Sequence, residues 1–155
     1  MQIVPKPNVH IRTAAPSDAS SMMALEQASQ TAAHCAGSFY RGLFEEGAAE
    51  RISLAAEDDT GLQGFLIARI TGDECELENM VVKEGRWRSG IGSSLIWALA
   101  DFVRGRNAKR IFLEVRESNT AARALYERCG FRINGRRKSY YNDPQEDAVL
   151  YVWVP

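Results

Sequence analysis

The sequence predicts an α/β chain in which an antiparallel meander comes first and a single βαβ crossover follows in the middle. Three observations carry this. Three apolar, β-branched runs between residues 51 and 82 are separated by the turn residues Asp58-Asp59-Thr60-Gly61 and Asp73-Glu74. Ile91, Leu95, Leu99, Phe102 and Val103 then recur at helical spacing. A strand-like run from Arg110 to Val115 and a second helical segment follow at once, the order of a crossover on a parallel pair.

Val9 to Ala14 reads as a short strand. Pro16 and Ser17 then open a helix carrying Met22, Met23, Leu25 and Glu26. A second helix, about Ser38 to Glu46, follows His34-Cys35-Ala36-Gly37. Arg51 to Ala56 and Leu62 to Ile70 form a hairpin, and Cys75 to Val82 is the third strand of the meander. After the helix that begins near Ile91 and the strand from Arg110, the segment Asn119 to Cys129 is helical, with Ala122, Leu125, Tyr126 and Cys129 on one side. Gly130 stops it, since glycine accepts the left-handed backbone of a helix end. Phe131 onward and Ala148 to Val154 close as an antiparallel pair. The predicted order is β α α β β β α β α β β.

The 155 residues suggest one domain, 1–155. With 45% hydrophobic and 25% charged residues, the chain has the composition of a soluble globular protein with a real core. A net charge of −1 gives no bulk attraction to nucleic acid or membrane, and neither is expected as a partner. Local arginine runs, such as Arg86 with Arg88, read as solvated faces. Cys35, Cys75 and Cys129 are odd in number and widely spaced, so no disulfide framework, zinc site or other metal is expected. His10 and His34 have no partner pattern. The start lacks the long apolar run of a signal peptide, and no stretch approaches the roughly 18 apolar residues of a membrane span. The expected location is the cytoplasm.

The stretch GRWRSGIGSSL, residues 85–95, invites a phosphate reading. A P-loop is excluded because Ile91-Gly92 stands where Lys-Ser/Thr is required. A dinucleotide fingerprint is excluded because Leu95 occupies the third glycine. Two readings stay open on these residues: a glycine-rich helix start, or an anion cradle in which Gly90 and Gly92 let backbone N–H groups come close to the ligand.

A second constellation, LEVRESNTAARALYERCGF from Leu113 to Phe131, joins Asn119, Ala122, Leu125, Tyr126, Gly130 and Phe131 in the spacing N-x-x-A-x-x-L-Y-x-x-x-G-F. With the strand, GxG and helix upstream, it resembles the general N-acetyltransferase (GNAT) superfamily. LEVRESN and the later GRRKSYYNDPQEDAVL are similar to its RimI branch, which acetylates the N-terminal alanine of a small-subunit ribosomal protein. The resemblance implies a mixed, mostly antiparallel sheet and acetyl-CoA as co-substrate, with a protein or peptide N-terminus as acceptor. Its pyrophosphate would lie on the amides of Arg88, Ser89, Gly90, Ile91, Gly92 and Ser93. The backbone of Met80, Val81 and Val82 would pair with the pantetheine arm. Asn119 would cap its own helix and also meet pantetheine. Two positions depart from the family: Trp87 stands where Gln or Arg is usual, and His34-Cys35-Ala36-Gly37 replaces a tryptophan and a capping serine.

Acetyl transfer to an amine needs a neutral amine and a protonated leaving thiol. An α-amine, pKa about 8, is far closer to neutral at pH 7 than a lysine at about 10.4. Glu114 is the candidate base, acting directly or through water; its alternative is a salt bridge to Arg116 or another arginine. Tyr126 is the candidate acid; its alternative is a tyrosine packed on the sheet. Tyr140 and Tyr141, expected between the last two strands, would cover the acceptor peptide or simply pack. Glu78 would help bind the amine or lie solvated. The competing functions are a lysine or small-amine acetyltransferase and a non-catalytic acetyl-CoA-binding module.

Overall fold

The structure is a computed structural model and describes residues 8–29, 37–46 and 50–155. Among these, seven strands form one sheet: β1 (His10–Thr13), β2 (Arg51–Asp58), β3 (Gly61–Thr71), β4 (Glu74–Val82), β5 (Arg110–Arg116), β6 (Arg132–Tyr141) and β7 (Glu146–Trp153). Four helices accompany them: α1 (Ala19–Ala28), α2 (Gly37–Gly42), α3 (Ile91–Arg104) and α4 (Thr120–Arg128). The strand order is β1-β2-β3-β4-β5-β7-β6. Every neighbouring pair is antiparallel except β4 and β5, which α3 connects as a parallel crossover. The second helix is shorter than its apolar run suggests, ending at Gly42 in turns. Pro16–Asp18 forms a 3-10 turn ahead of α1, closed by Asp18 accepting the Ala15 N–H at 2.6 Å. His34, Cys35 and Ala36 lie outside the described residues.

The parallel pairing of β4 with β5 is brief. It joins Glu74 with Arg110, Cys75 with Ile111 and Glu76 with Phe112, and then ends. The cause lies two residues further along β4. Ile67 of β3 faces Asn79, but the next residue, Ala68, faces Leu77, so Glu78 is an extra residue on β4. Such a bulge bends its strand and sharpens the twist, which carries the end of β4 away from β5. It also shifts the faces. Cys75 and Leu77 point into the cluster that α3 and α4 cover, and beyond the bulge Met80 and Val82 take over that direction. Asn79 and Val81 turn to the face of α1 and α2.

The sheet is therefore covered on both faces. Ile91, Leu95, Ile96, Leu99, Ala100 and Val103 of α3 form a continuous stripe against Ile111, Leu113 and Val115 of β5 and the apolar residues of β2–β4. Met22 and Tyr40 pack with Phe65, Ile67 and Val81 on the other face. There a polar group is built into the core: Tyr40 donates to Glu26, and Asn79 Nδ2 donates to the Tyr40 hydroxyl at 3.1 Å and to Glu26 at 3.5 Å. Asn79 is thus the link between α1, α2 and the bulged strand. Replacing it by Ala removes a buried donor from partners that stay buried. We expect a loss of about 1–3 kcal/mol in a denaturant titration, shifting the midpoint at unchanged slope.

Candidate active site

The loop after β4 makes a 3-10 turn, Glu84–Arg86, and reaches α3 through Gly90. Gly90 is left-handed at φ 90°, a conformation that glycine enters at no steric cost, and this sets the entry angle of the helix. No side chain caps α3. The N–H groups of Ile91, Gly92 and Ser93 belong to its first turn, where an α-helix offers no internal acceptor and the dipole concentrates positive charge. The first N–H to close a helical bond is that of Ser94, to Gly90 O at 3.0 Å. Those amides suit an anion. The two arginines divide. Arg86 is held by Asp58 at 2.6 Å, while Arg88 is exposed at φ 62°. Asp58 itself sits at about 2, held down by the Thr60 hydroxyl and amide and then by Arg86. Ser89 turns back to donate to Arg86 O.

Gly92 has a packing reason to be glycine beside the one expected. A Cβ there would lie 2.8 Å from Leu125 Cδ2. The missing side chain lets α4 close on α3.

Past Glu76 the facing edges of β4 and β5 are unpaired, and a cleft opens between them. Lys83 N–H donates to Gln63 O at 2.9 Å, so the polar groups of Lys83 face β3. Backbone direction alternates along a strand, so Val81 also faces β3, opposite Phe65, and Met80 and Val82 face the cleft. This corrects the expectation for Val81, whose backbone is spent within the sheet. Trp87 explains part of its own departure: its indole Nε1 donates to Val82 O at 2.8 Å and fastens the loop to the end of β4. Met80 is left with both polar backbone groups toward the cleft. Asn119 caps α4, its Oδ1 accepting from Ala122 N at 3.2 Å.

Glu114 and Tyr126 approach this cleft from opposite faces of the sheet. Ile111, Leu113 and Val115 point to α3 and α4, so the alternating Phe112, Glu114 and Arg116 point the other way. Tyr126 comes from α4, packed on Phe131 and Tyr151 with ring centroids 5.8 and 6.1 Å apart. The helix is anchored just beyond it: Phe131 N donates to Tyr126 O at 3.0 Å over a left-handed Gly130. Burial pushes the Tyr126 phenol well above its ordinary value, with Tyr141 and Cys129 adding to the rise. No side chain among the described residues hydrogen-bonds its hydroxyl. Glu114 is a quarter exposed and ion-paired at 3.0 Å to Arg137, not to Arg116.

Tyr140 and Tyr141 lie on β6 itself, not between the strands as expected. Between Arg137 opposite Ala148 and Tyr141 opposite Glu146, β6 has three residues and β7 has one. Ser139 takes φ 54° there and donates its N–H to Asp147 at 2.7 Å. This bulge turns the tyrosines toward Glu114, with their rings edge to face at 5.0 Å. Glu114 raises the Tyr140 phenol, and burial pushes Tyr141 to about 12, with Glu114 adding to it. Arg116 holds the hairpin end, donating to Asn142 O and Pro144 O at 3.0 Å each, pairing with Glu146 at 3.3 Å and lying over the Tyr141 ring at 4.5 Å. Glu78 is half-buried and ion-paired: Arg51 Nε holds it at 2.8 Å and itself lies over the Phe39 ring. Arg137, Arg51 and Asn79 were missed by sequence reasoning. Only long-range pairing gives them partners, and no local signal marks it.

Residues 19–131 match the profile of the Acetyltransferase (GNAT) family. A Bacillus subtilis (strain 168) protein, provisionally named a ribosomal protein bS18-alanine N-acetyltransferase, is 33% identical over 130 residues, 84% of each chain. The ribosomal protein bS18-alanine N-acetyltransferase of Escherichia coli (strain K12) is 38% identical over 91 residues, 57% of this chain and 62% of that one. The crystal structure of the ribosomal-protein-S18-alanine N-acetyltransferase from Escherichia coli superposes with a TM-score of 0.82 at 27% identity, over 94% of this chain and 93% of the other.

The Gly92 contact makes a testable claim about packing. Gly92→Val should destabilise the fold by about 1–3 kcal/mol through overpacking. Leu125→Ala in the same chain should restore part of that loss, which a double-mutant cycle on denaturation midpoints would read as coupling.

Proposed function

The chain belongs to the acetyltransferase (GNAT) family and is an N-acetyltransferase; from that premise we propose that it transfers the acetyl group of acetyl-CoA to the N-terminal α-amine of a protein or peptide. The observation that carries this is the split in the sheet, with Glu114 on one face, Tyr126 on the other and the first-turn amides of α3 at one end. The uncapped α3 start and the outward backbone of Met80 fit a ligand with a pyrophosphate and an amide-bearing arm. A terminal acceptor, with a ribosomal protein as one candidate, is supported by the relatives named for bS18-alanine acetylation.

Bound acetyl-CoA supplies the thioester. In this reading Glu114 takes the proton of the α-ammonium, directly or through one water, which leaves the nitrogen pair free to attack. Tyr126 donates its phenol proton to the departing sulfur. A phenol raised by burial remains protonated throughout the neutral range, so it is present as the acid. Tyr140 and Tyr141 flank the acceptor next to Glu114, with ring faces for the peptide and hydroxyls for its backbone. Asn119 keeps Nδ2 for the pantetheine arm while Oδ1 caps its helix.

Tyr126→Phe should bind CoA normally in calorimetry and lose roughly 10²–10⁴-fold in kcat. The sign of the Tyr126 shift sets the pH behaviour of the unaltered enzyme. Burial disfavours the phenolate, so kcat should show no basic limb at the ordinary tyrosine value of about 10. Glu114→Gln should lose rate at neutral pH, and the deficit should shrink above about pH 8, where the amine is already neutral. A defect that grows with pH would exclude Glu114 as the base.

The acceptor class is tested with two peptides of one sequence, each carrying an internal lysine, one with a free terminus and one blocked. Mass spectrometry should place acetyl on the free α-amine and find the blocked peptide nearly inert. Equal acetylation of the lysine in the blocked peptide would establish the lysine-acetyltransferase reading instead.

A further inference from the structure

Glu114 carries a cation in the acceptor-free protein, and the reaction proposed above brings it a second one. Arg137 Nε lies 3.0 Å from Glu114 Oε1, and in the proposed reaction an α-ammonium has to meet the same carboxylate. The other charged and titratable groups gather around Glu114 and the two tyrosines that face it. Tyr140 and Tyr141 approach from β6, Arg116 from β5 itself, Glu146 from β7, Glu76 from β4, and Tyr126 from α4 through Tyr141. The cations that these contacts name are Arg116 and Arg137, and they differ in how they are held. Arg116 has two carbonyls, a carboxylate and a ring face. Arg137 has the Glu114 contact and the Tyr140 ring, 5.4 Å from its guanidinium carbon, and its side chain is 56% exposed. It also stands at the edge of the β6 bulge, where the strand ladder is interrupted.

We propose that Arg137 is a positioning residue that holds the Glu114 carboxylate toward the cleft until the acceptor binds, and then yields it to the acceptor's α-ammonium and rests on the Tyr140 ring. The handover conserves charge at Glu114: one cation replaces another, so the carboxylate is never left unpaired beside the tyrosines. The second resting place is already in contact, since a guanidinium is attracted to an aromatic face. Glu76 lies near enough to Tyr140 to act on its phenol, and it favours a cation there too. Part of the acceptor's binding energy is then spent on displacing Arg137. An acceptor that brings no cation to this carboxylate has nothing to exchange for it.

This inference rests on the terminal-amine reading, and the experiment separates the two. Steady-state kinetics on the free-terminus peptide would be measured for the unaltered protein, Arg137→Gln, Arg137→Lys, Glu114→Gln and the double variant Glu114→Gln/Arg137→Gln, with thermal melts to confirm folding. Removing the competing cation should lower the peptide KM by about two- to fivefold, the scale of a partly exposed ion pair, with kcat moving less than KM. Arg137→Lys keeps the competitor and should hold KM near that of the unaltered protein. In the Glu114→Gln background, Arg137→Gln should leave KM where it is, because no carboxylate remains to contest. A KM that is unchanged or higher in Arg137→Gln, or that falls equally in the Glu114→Gln background, overturns the handover and leaves terminal acetylation standing. An unaltered protein that does not acetylate the free terminus removes that reading and the handover together.

Discussion

β4 and β5 share three residue pairs and no more, and the site depends on where that pairing stops. Parallel strands joined by a helix ordinarily continue side by side. Here the extra residue Glu78 bends β4 just past the last pair, and two strand edges are left with polar backbone groups turned to a cleft. Those edges would be costly to bury without partners. In the proposed reading an extended ligand with amides of its own would satisfy them, and the helix that starts after β4 would offer its uncapped amides to the same ligand's charged end. In the proposed mechanism the split is also a passage between faces, through which Glu114 above the sheet and Tyr126 below it serve one centre.

The rest of the molecule keeps that split in place. Arg51 clamps the bulge residue, and Asn79 ties the next residue of β4 to Tyr40 and Glu26 between α1 and α2. Trp87 fixes the loop to Val82, and Arg86 fixes it to the hairpin turn at Asp58. Gly92 lets α4 settle against α3, which carries Tyr126 to the cleft. Arg116 fastens the far hairpin, and the bulge in β6 aims its tyrosines inward. Arg51, Asn79, Arg86 and Arg116 each find their partner more than twenty residues away along the chain.

That division explains what could be read in the sequence. The strands, the crossover helix and the GxG start are local patterns of period and turn chemistry, and they were legible. So were the strand face of Glu114, the cap at Asn119 and the helix face of Tyr126, while the roles of Glu114 and Tyr126 rested on the family resemblance. The bulge at Glu78 left no mark, because one extra residue in an apolar run alters no composition. Without it, the direction of Val81's backbone and the partner of Glu78 could not be found. Tyr140 and Tyr141 were read as a loop because Asn142-Asp143-Pro144 is a strong turn signal, while the β6 bulge rests on Ser139 and its bond to Asp147, a pairing across the hairpin. Gly92 was credited to ligand approach because glycines before a helix suggest it; only the packing of α4 reveals Leu125.

The claim at the centre of this account is that the ligand joins β4 as an added strand in the split. Amide hydrogen exchange with and without CoA tests it most directly. Slowed exchange at the cleft-facing amides of Met80 and Val82 and at the first turn of α3, with little change at Val81, is the predicted result. Protection confined to other elements, or no change in residues 77–82 at saturating CoA, would contradict it.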